Sequence, residues 1–152
     1  MASFERSVVV NGPLADVFDF AIEPDNLHMF MPDITKIEKE YETIEEGAHY
    51  MQTREFKPGK SHTCKITFAK YDSPNHCRVE AYQKGLTCSY DFTFTAVDEG
   101  IKIDYLAEAN GKWFWKIMIG MVNRMVEKAD GDYIAKVKEN YEQHNSANSI
   151  DS

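Results

Sequence analysis

The sequence is short of what a metal ribbon or a stapled scaffold needs. Its three cysteines, Cys64, Cys77 and Cys88, form no CxxC pair and are odd in number. Neither a zinc ribbon nor a disulfide framework fits that count. No Asn-x-Ser/Thr sequon occurs. Positive charge is scarce too: 17 Lys and Arg face 25 Asp and Glu, a formal net charge of −8. With no basic run among them, a nucleic-acid surface is excluded. Long apolar runs are also missing. The opening MASFERSVVV has no signal-peptide core. The most apolar stretch, Trp113 to Val126, is interrupted by Lys116, Gly120, Asn123 and Arg124. It is too short and too polar to span a bilayer. A reduced, cytoplasmic compartment is the expectation.

Catalytic signatures are absent as well: no GxGxxG, P-loop, GxSxG or HExxH is present. The histidines His28, His49, His62, His76 and His144 show no metal-ligand spacing. No cofactor, metal site or catalytic residue is therefore expected. His62 and Cys64 are i, i+2 on one strand face, which suits a half-buried histidine beside a core cysteine better than a His–Cys nucleophile or half a zinc site.

What is present is an ordinary globular composition over 152 residues, 43% apolar and 28% charged, which suits one domain. Residues 3–11 read as a β-branched strand. After it, Leu14, Val17, Phe18, Ala21 and Ile22 follow i, i+3, i+4, i+7, i+8, one face of a helix. Pro13 fits its first turn, with Asn11 or Gly12 as cap, and Pro24 ends it. A second short helix over about 25–31 stops at Pro32. The period then changes to two, giving strands at about 34–44, 48–56, 61–71, 76–83, 86–97 and 101–108. Every connection carries Gly or Pro and is short enough for an antiparallel hairpin.

Paired residues of a hairpin share a face, so inward positions must agree across each turn. A Lys84-Gly85 turn sets Ala81 opposite Cys88 and Val79 opposite Tyr90. The Asp72–Asn75 turn sets Phe68 opposite Val79, and Asp98-Glu99 sets Phe92 opposite Tyr105. Four strands thus agree on one apolar face. For the strand at 48–56, a two- or four-residue turn at Pro58-Gly59 faces Met51 and Thr53 inward, whereas a three-residue turn selects Tyr50, Gln52 and Arg54. That face stays open. Solvation of Gln52 and Arg54 is the expectation, because it spares the cost of burying a charge; the other register would let Arg54 meet a ligand carboxylate or phosphate.

The chain closes on a helical region over about 111–144, with Met118, Val122, Met125, Ala129, Tyr133, Val137 and Tyr141 as one apolar stripe. At ~1.5 Å per residue such a helix runs roughly 50 Å, long enough to cross a sheet. Gly120 and Gly131 mark bends or close contacts along it. The domain is expected over 1–144, with NSANSIDS at 145–152 as a disordered tail. A twisted sheet curling around one helix need not touch it everywhere, and any gap becomes a cavity. The inferred inner face nominates Cys64, Ile66, Phe68, Val79, Ala81, Cys88, Tyr90, Phe92, Tyr105, Met118, Val122 and Met125 as ligand-binding residues. Phe94 belongs to the same aromatic stripe, Met121 adds pliable lining beside Met118 and Met125, and so does Met29 or Met31 near the entrance. The consecutive Trp113, Phe114 and Trp115 cannot all face one way, so at least one belongs at a pocket mouth, a partner surface or a membrane interface. The glutamates between Glu38 and Glu46 and the Asp130/Asp132 pair read as solvated surface.

The run Ser7-Val8-Val9-Val10, then Pro13, Val17-Phe18-Asp19-Phe20, Glu23-Pro24-Asp25-Asn26-Leu27 and Met31-Pro32-Asp33-Ile34, resembles the START-like (SRPBCC) superfamily. Within it the polyketide cyclase/dehydrase and lipid-transport branch is the most similar. The Gly47 turn and the C-terminal helix extend the resemblance across nearly the whole chain. It implies an α+β helix-grip fold: a seven-stranded curved antiparallel sheet wrapped around a long C-terminal helix, with two short helices after strand 1. It also implies binding or carriage of an apolar small molecule (lipid, isoprenoid quinone or polyketide-like) between sheet and helix. The alternatives are a cyclase or dehydratase using Tyr90, Tyr105, His62 or Arg54, and a co-chaperone-like interaction module. No nucleic acid is expected as partner, a transient membrane or protein contact is open, and so is the oligomeric state.

Overall fold

Period-two alternation and turn chemistry set the frame, and the helices cover one face of it. The computed structural model describes residues 2–83 and 85–151; the side chains at 2, 56, 113–115 and 145–151 lie outside the described residues. The readings made of the Trp113-Phe114-Trp115 side chains therefore fall outside them, as do Lys84 and Ser152, while the backbone of the expected tail is helical as far as Asp151.

The strands are β1 (Ala2–Val10), β2 (Ile34–Lys39), β3 (His49–Lys57), β4 (Lys60–Asp72), β5 (His76–Gln83), β6 (Leu86–Val97) and β7 (Gly100–Gly111). They form one antiparallel sheet in the order β1-β7-β6-β5-β4-β3-β2. Five consecutive hairpins build a meander, and β1 adds on beside β7. The four expected cross-strand pairs are all present: Ala81 with Cys88, Val79 with Tyr90, Phe68 with Val79, and Phe92 with Tyr105. β2 ends at Lys39, short of the expected 44.

The open register of β3 is decided by a bulge. Glu55 pairs with Ser61 and Lys57 with Lys60, so the pairing shifts by one residue between Glu55 and Lys57. A two-residue turn with Gly59 at φ +78 thus acts on the strand as a three-residue turn would. Because side chains alternate, that one residue turns Tyr50, Gln52 and Arg54 inward. The expected solvation of Gln52 and Arg54 is corrected accordingly: Gln52 is 9% exposed, and the Arg54 side chain 13%.

After β1 come α1 (Leu14–Ile22), one 3₁₀ turn at Pro24–Asn26, and α2 (Leu27–Phe30). Pro13 is the residue before α1, in extended conformation, and no side chain caps that end. The α1 face packs as its spacing dictates, with Val17, Phe18, Ala21 and Ile22 buried. Phe18 meets Phe94 edge-on, ring centroids 4.9 Å apart.

The C-terminal helical region is two helices, α3 (Trp113–Asp130) and α4 (Tyr133–Asp151), divided at Gly131-Asp132. A Cβ on Gly131 would fall onto the Glu127 carbonyl, so the junction needs the missing side chain. The halves pack differently. α4 buries Tyr133, Ile134, Val137 and Tyr141, and the Tyr133 hydroxyl donates to the Ala21 carbonyl at 2.7 Å. Burying an aliphatic side chain of this kind contributes about 1.5–3 kcal/mol. α3 is held along β1 by Arg6–Glu127 at 3.0 Å and by Asn123 Nδ2, 3.5 Å from the Ser3 carbonyl. Its inward face meets open space.

Candidate functional site

That space is a cavity of about 470 Å³ between α3 and the inner faces of β3 to β7. Its walls follow from alternation: β3 supplies Tyr50, Gln52 and Arg54, β4 Cys64 and Ile66, β5 Cys77, Val79, Ala81 and Gln83, β6 Leu86, Cys88, Tyr90 and Phe92, and β7 Tyr105. Ile22, Leu27 and Met31 close one end. Met118, Met121, Val122, Met125, Val126 and Ala129 of α3 form the roof. At the other end Gln83 is exposed, and in the roof Met125 remains 64% exposed.

Eleven of the twelve nominated residues lie on this lining. Phe68 does not. It is fully buried against Tyr41, Tyr50 and Tyr71, in the part of the sheet that α1 covers. Phe94 likewise packs under Phe18. The aromatic stripe therefore splits. Its α1 side is solid core, and its α3 side lines the cavity. Met121 is on the roof, Met31 at the closed end, and Met29 packs against the core. His62 Nε2 lies 3.0 Å from Gln83 Oε1, and among the described residues no group of three or more His, Cys, Asp or Glu is placed to hold a metal.

The residue the sequence reading misplaced is Asp130. It is 3% exposed, not solvated. As the last residue of α3 it is four positions after Val126 and three before Tyr133, so it continues the apolar stripe. That spacing is the signal that could have found it; the neighbouring Asp132, which is exposed, masked it. The Tyr90 hydroxyl donates to Asp130 Oδ2 at 3.0 Å, and Arg54 Nη1 is 2.9 Å from Oδ1. On its other side Arg54 grips Asp33 with two donors, Nε to Oδ2 at 2.9 Å and Nη2 to Oδ1 at 3.0 Å. One guanidinium thus ties the start of β2 to the α3–α4 junction through β3.

Burial raises the Asp130 carboxyl above its usual value, against the pull of Arg54 and of the Tyr90 hydrogen bond. For Arg54, burial opposes the charge, but Asp130 and Asp33 outweigh it and hold the guanidinium protonated. Burial, with the Asp130 charge second, pushes the Tyr90 and Tyr105 phenols well up. Burial also raises the cavity thiols, Cys77 to about 12, Cys88 to about 11 and Cys64 in the same direction. None of the three is an activated nucleophile. The Tyr105 hydroxyl is buried without a hydrogen-bond partner. Tyr105 stacks between Phe92 and Tyr90, at 5.0 and 6.2 Å between ring centroids. The result is an apolar, aromatic chamber with one polar corner.

Residues 1–135 match the family described as polyketide cyclase/dehydrase and lipid transport. Among solved structures, the di-domain aromatase/cyclase StfQ of the steffimycin biosynthetic pathway is similar at TM-score 0.75 and 16% identity, over 95% of this chain and 51% of that one. The chain thus spans about half the length of that di-domain protein. A protein from Nitrosomonas europaea is similar at TM-score 0.73 and 11% identity, over 95% and 96% of the two chains. Ara h 8.0201 follows at TM-score 0.67 and 20% identity, over 90% and 95%. At these identities the likeness is one of fold: a seven-stranded sheet gripping a long C-terminal helix. No curated protein sequence matches the chain.

Proposed function

The chain belongs to the polyketide cyclase/dehydrase and lipid-transport family, and from that premise we propose that its cavity binds and carries an apolar small molecule, such as a lipid, an isoprenoid quinone or a polyketide-like aromatic. The observation that carries this reading is the 470 Å³ of open volume under α3, lined by aromatic, aliphatic and methionine side chains. Its size suits a small-molecule ligand. Each 100 Å² of apolar ligand surface buried there contributes about 2.5 kcal/mol, less the cost of ordering. Methionines in the roof adapt to varied shapes at low cost. The exposed apolar residues of α3, Ile117 at 81% and Met125 at 64%, suit a transient contact with the surface from which such a molecule is taken.

Native mass spectrometry of the purified protein is the test, with Ala81→Trp as control. Wild type should retain lipid-sized adducts, and the variant, whose indole fills the chamber beside Cys88, should lose them while still unfolding cooperatively. Adducts that persist unchanged in the variant would remove the cavity from the account.

A cyclase or dehydratase is the second reading, favoured by the Tyr90–Asp130–Arg54 cluster within hydrogen-bond reach of one another on the cavity wall. An enzyme needs such a group to move a proton. On the enzyme reading Tyr90→Phe lowers turnover with binding intact; on the carrier reading it leaves binding unchanged. The co-chaperone-like module called for a filled interior, and the open chamber is the argument against it.

A further inference from the structure

The polar corner of the cavity restricts what its ligand can carry. Arg54 is the lone cation among the described lining residues, and it is already committed. Asp33 takes two of its donors and Asp130 a third contact at 2.9 Å. With both carboxylates ionised, one positive charge faces two negative ones. With Asp130 protonated, Arg54 and Asp33 cancel. In neither state is there positive charge to spare for an anion. Bringing a carboxylate or phosphate into this corner adds charge to a site that cannot compensate it, the costly case for a desolvated ion.

Hydrogen-bonding capacity, by contrast, is left over. Gln52 lies two residues from Arg54 on the same face of β3 and lines the cavity at 9% exposure. Its side-chain amide has no hydrogen-bond partner among the described residues. An amide carries both donors and an acceptor, so it can serve a hydroxyl or a carbonyl equally. Gln52 is not among the side chains whose polar atoms are sealed without a partner, so its amide opens onto the cavity and is free to bond what is bound there.

We propose, building on the carrier reading above, that the cavity selects apolar molecules bearing an uncharged oxygen function, a hydroxyl or a carbonyl, seated on Gln52, and rejects the corresponding carboxylates and phosphates. The paired Arg54 fixes the wall and is not an anion receptor.

Three fluorescent probes of one shape test this: 1-naphthalenemethanol, 1-naphthoate and 1-methylnaphthalene, titrated at about pH 8. The alcohol should bind at least about tenfold more tightly than the carboxylate. Gln52→Leu should weaken the alcohol about three- to tenfold and leave the methyl compound within about twofold. Asp130→Asn, which removes one negative charge at nearly constant shape, should narrow the gap between alcohol and carboxylate. A carboxylate that binds wild type as well as the alcohol does overturns the selectivity while leaving the carrier reading standing. So does a Gln52→Leu change that weakens alcohol and methyl compound alike. If none of the three binds a protein that melts cooperatively, the carrier reading itself falls.

Discussion

On the proton of Asp130, its two contacts and its burial pull in opposite directions. Arg54 and Tyr90 favour the ionised form, and burial, the largest effect, favours the neutral one. The net shift is upward from 3.8, so the folded state binds the proton more tightly than the unfolded chain does. The stability this confers is therefore present at acid pH and is lost as pH rises through the folded-state value, which lies above 3.8. Asp130→Asn mimics the protonated form at every pH. Its melting temperature relative to wild type should rise as the pH climbs from below 3.8 through the folded-state value, and then level off. A variant whose deficit instead grows with pH would mean that the Arg54 pair outweighs burial. The same residue shows where residue-level reading runs out. A charge run is usually solvated, and only the three- and four-residue spacing to Tyr133 and Val126 marks Asp130 as inward. Arg54 was harder still, because its direction is set by a bulge between Glu55 and Lys57 that has no signature in the turn.

Elements were more legible than single residues, for a geometric reason. A hairpin with a short Gly-containing turn admits few registers, and a stripe of Cys88, Tyr90 and Phe92 admits only one inward face. Pairing from β4 to β7 could therefore be read from alternation alone. β3 could not, since a bulge between Glu55 and Lys57 changes the face without changing the turn residues. The C-terminal helix was legible as a stripe but not as two bodies. Its break depends on a close approach at Gly131, where an added Cβ would meet the Glu127 carbonyl. Gly131→Ala should thus destabilise the protein by about 1–3 kcal/mol, as overpacking does, although Ala is the better helix former. The measurement is urea unfolding, with binding of 1-naphthalenemethanol as second readout, because Asp130 moves with the junction. An unchanged or raised midpoint would show that the junction relaxes freely and that its geometry does not place Asp130.

At the scale of the molecule, a sheet of seven strands is covered unevenly. α1 and α4 press Phe18, Phe94, Val137 and Tyr141 into solid core, while α3 spans a gap with Ile117 and Met125 still facing out. The sequence pattern indicates that a helix crosses the sheet; it does not say which half stands off, because Met118, Val122 and Val137 look equally apolar. That asymmetry predicts how the protein responds to a ligand. A molecule that fills the gap binds only the folded chain, so at one hundred times its dissociation constant it adds about 2.7 kcal/mol. For a domain of this size that corresponds to a rise in melting temperature of roughly 5–11 °C. The gain should be local as well as global. Lys112, Lys116, Arg124 and Lys128 place four tryptic sites in or beside α3, and the ligand completes the packing under that helix. Limited proteolysis should therefore slow at these sites more than at Lys36 or Lys60, which lie on strands away from the roof. Equal slowing everywhere would mean that the ligand acts only through global stability. No slowing at α3, with the melting temperature raised, would place the bound molecule elsewhere than beneath it.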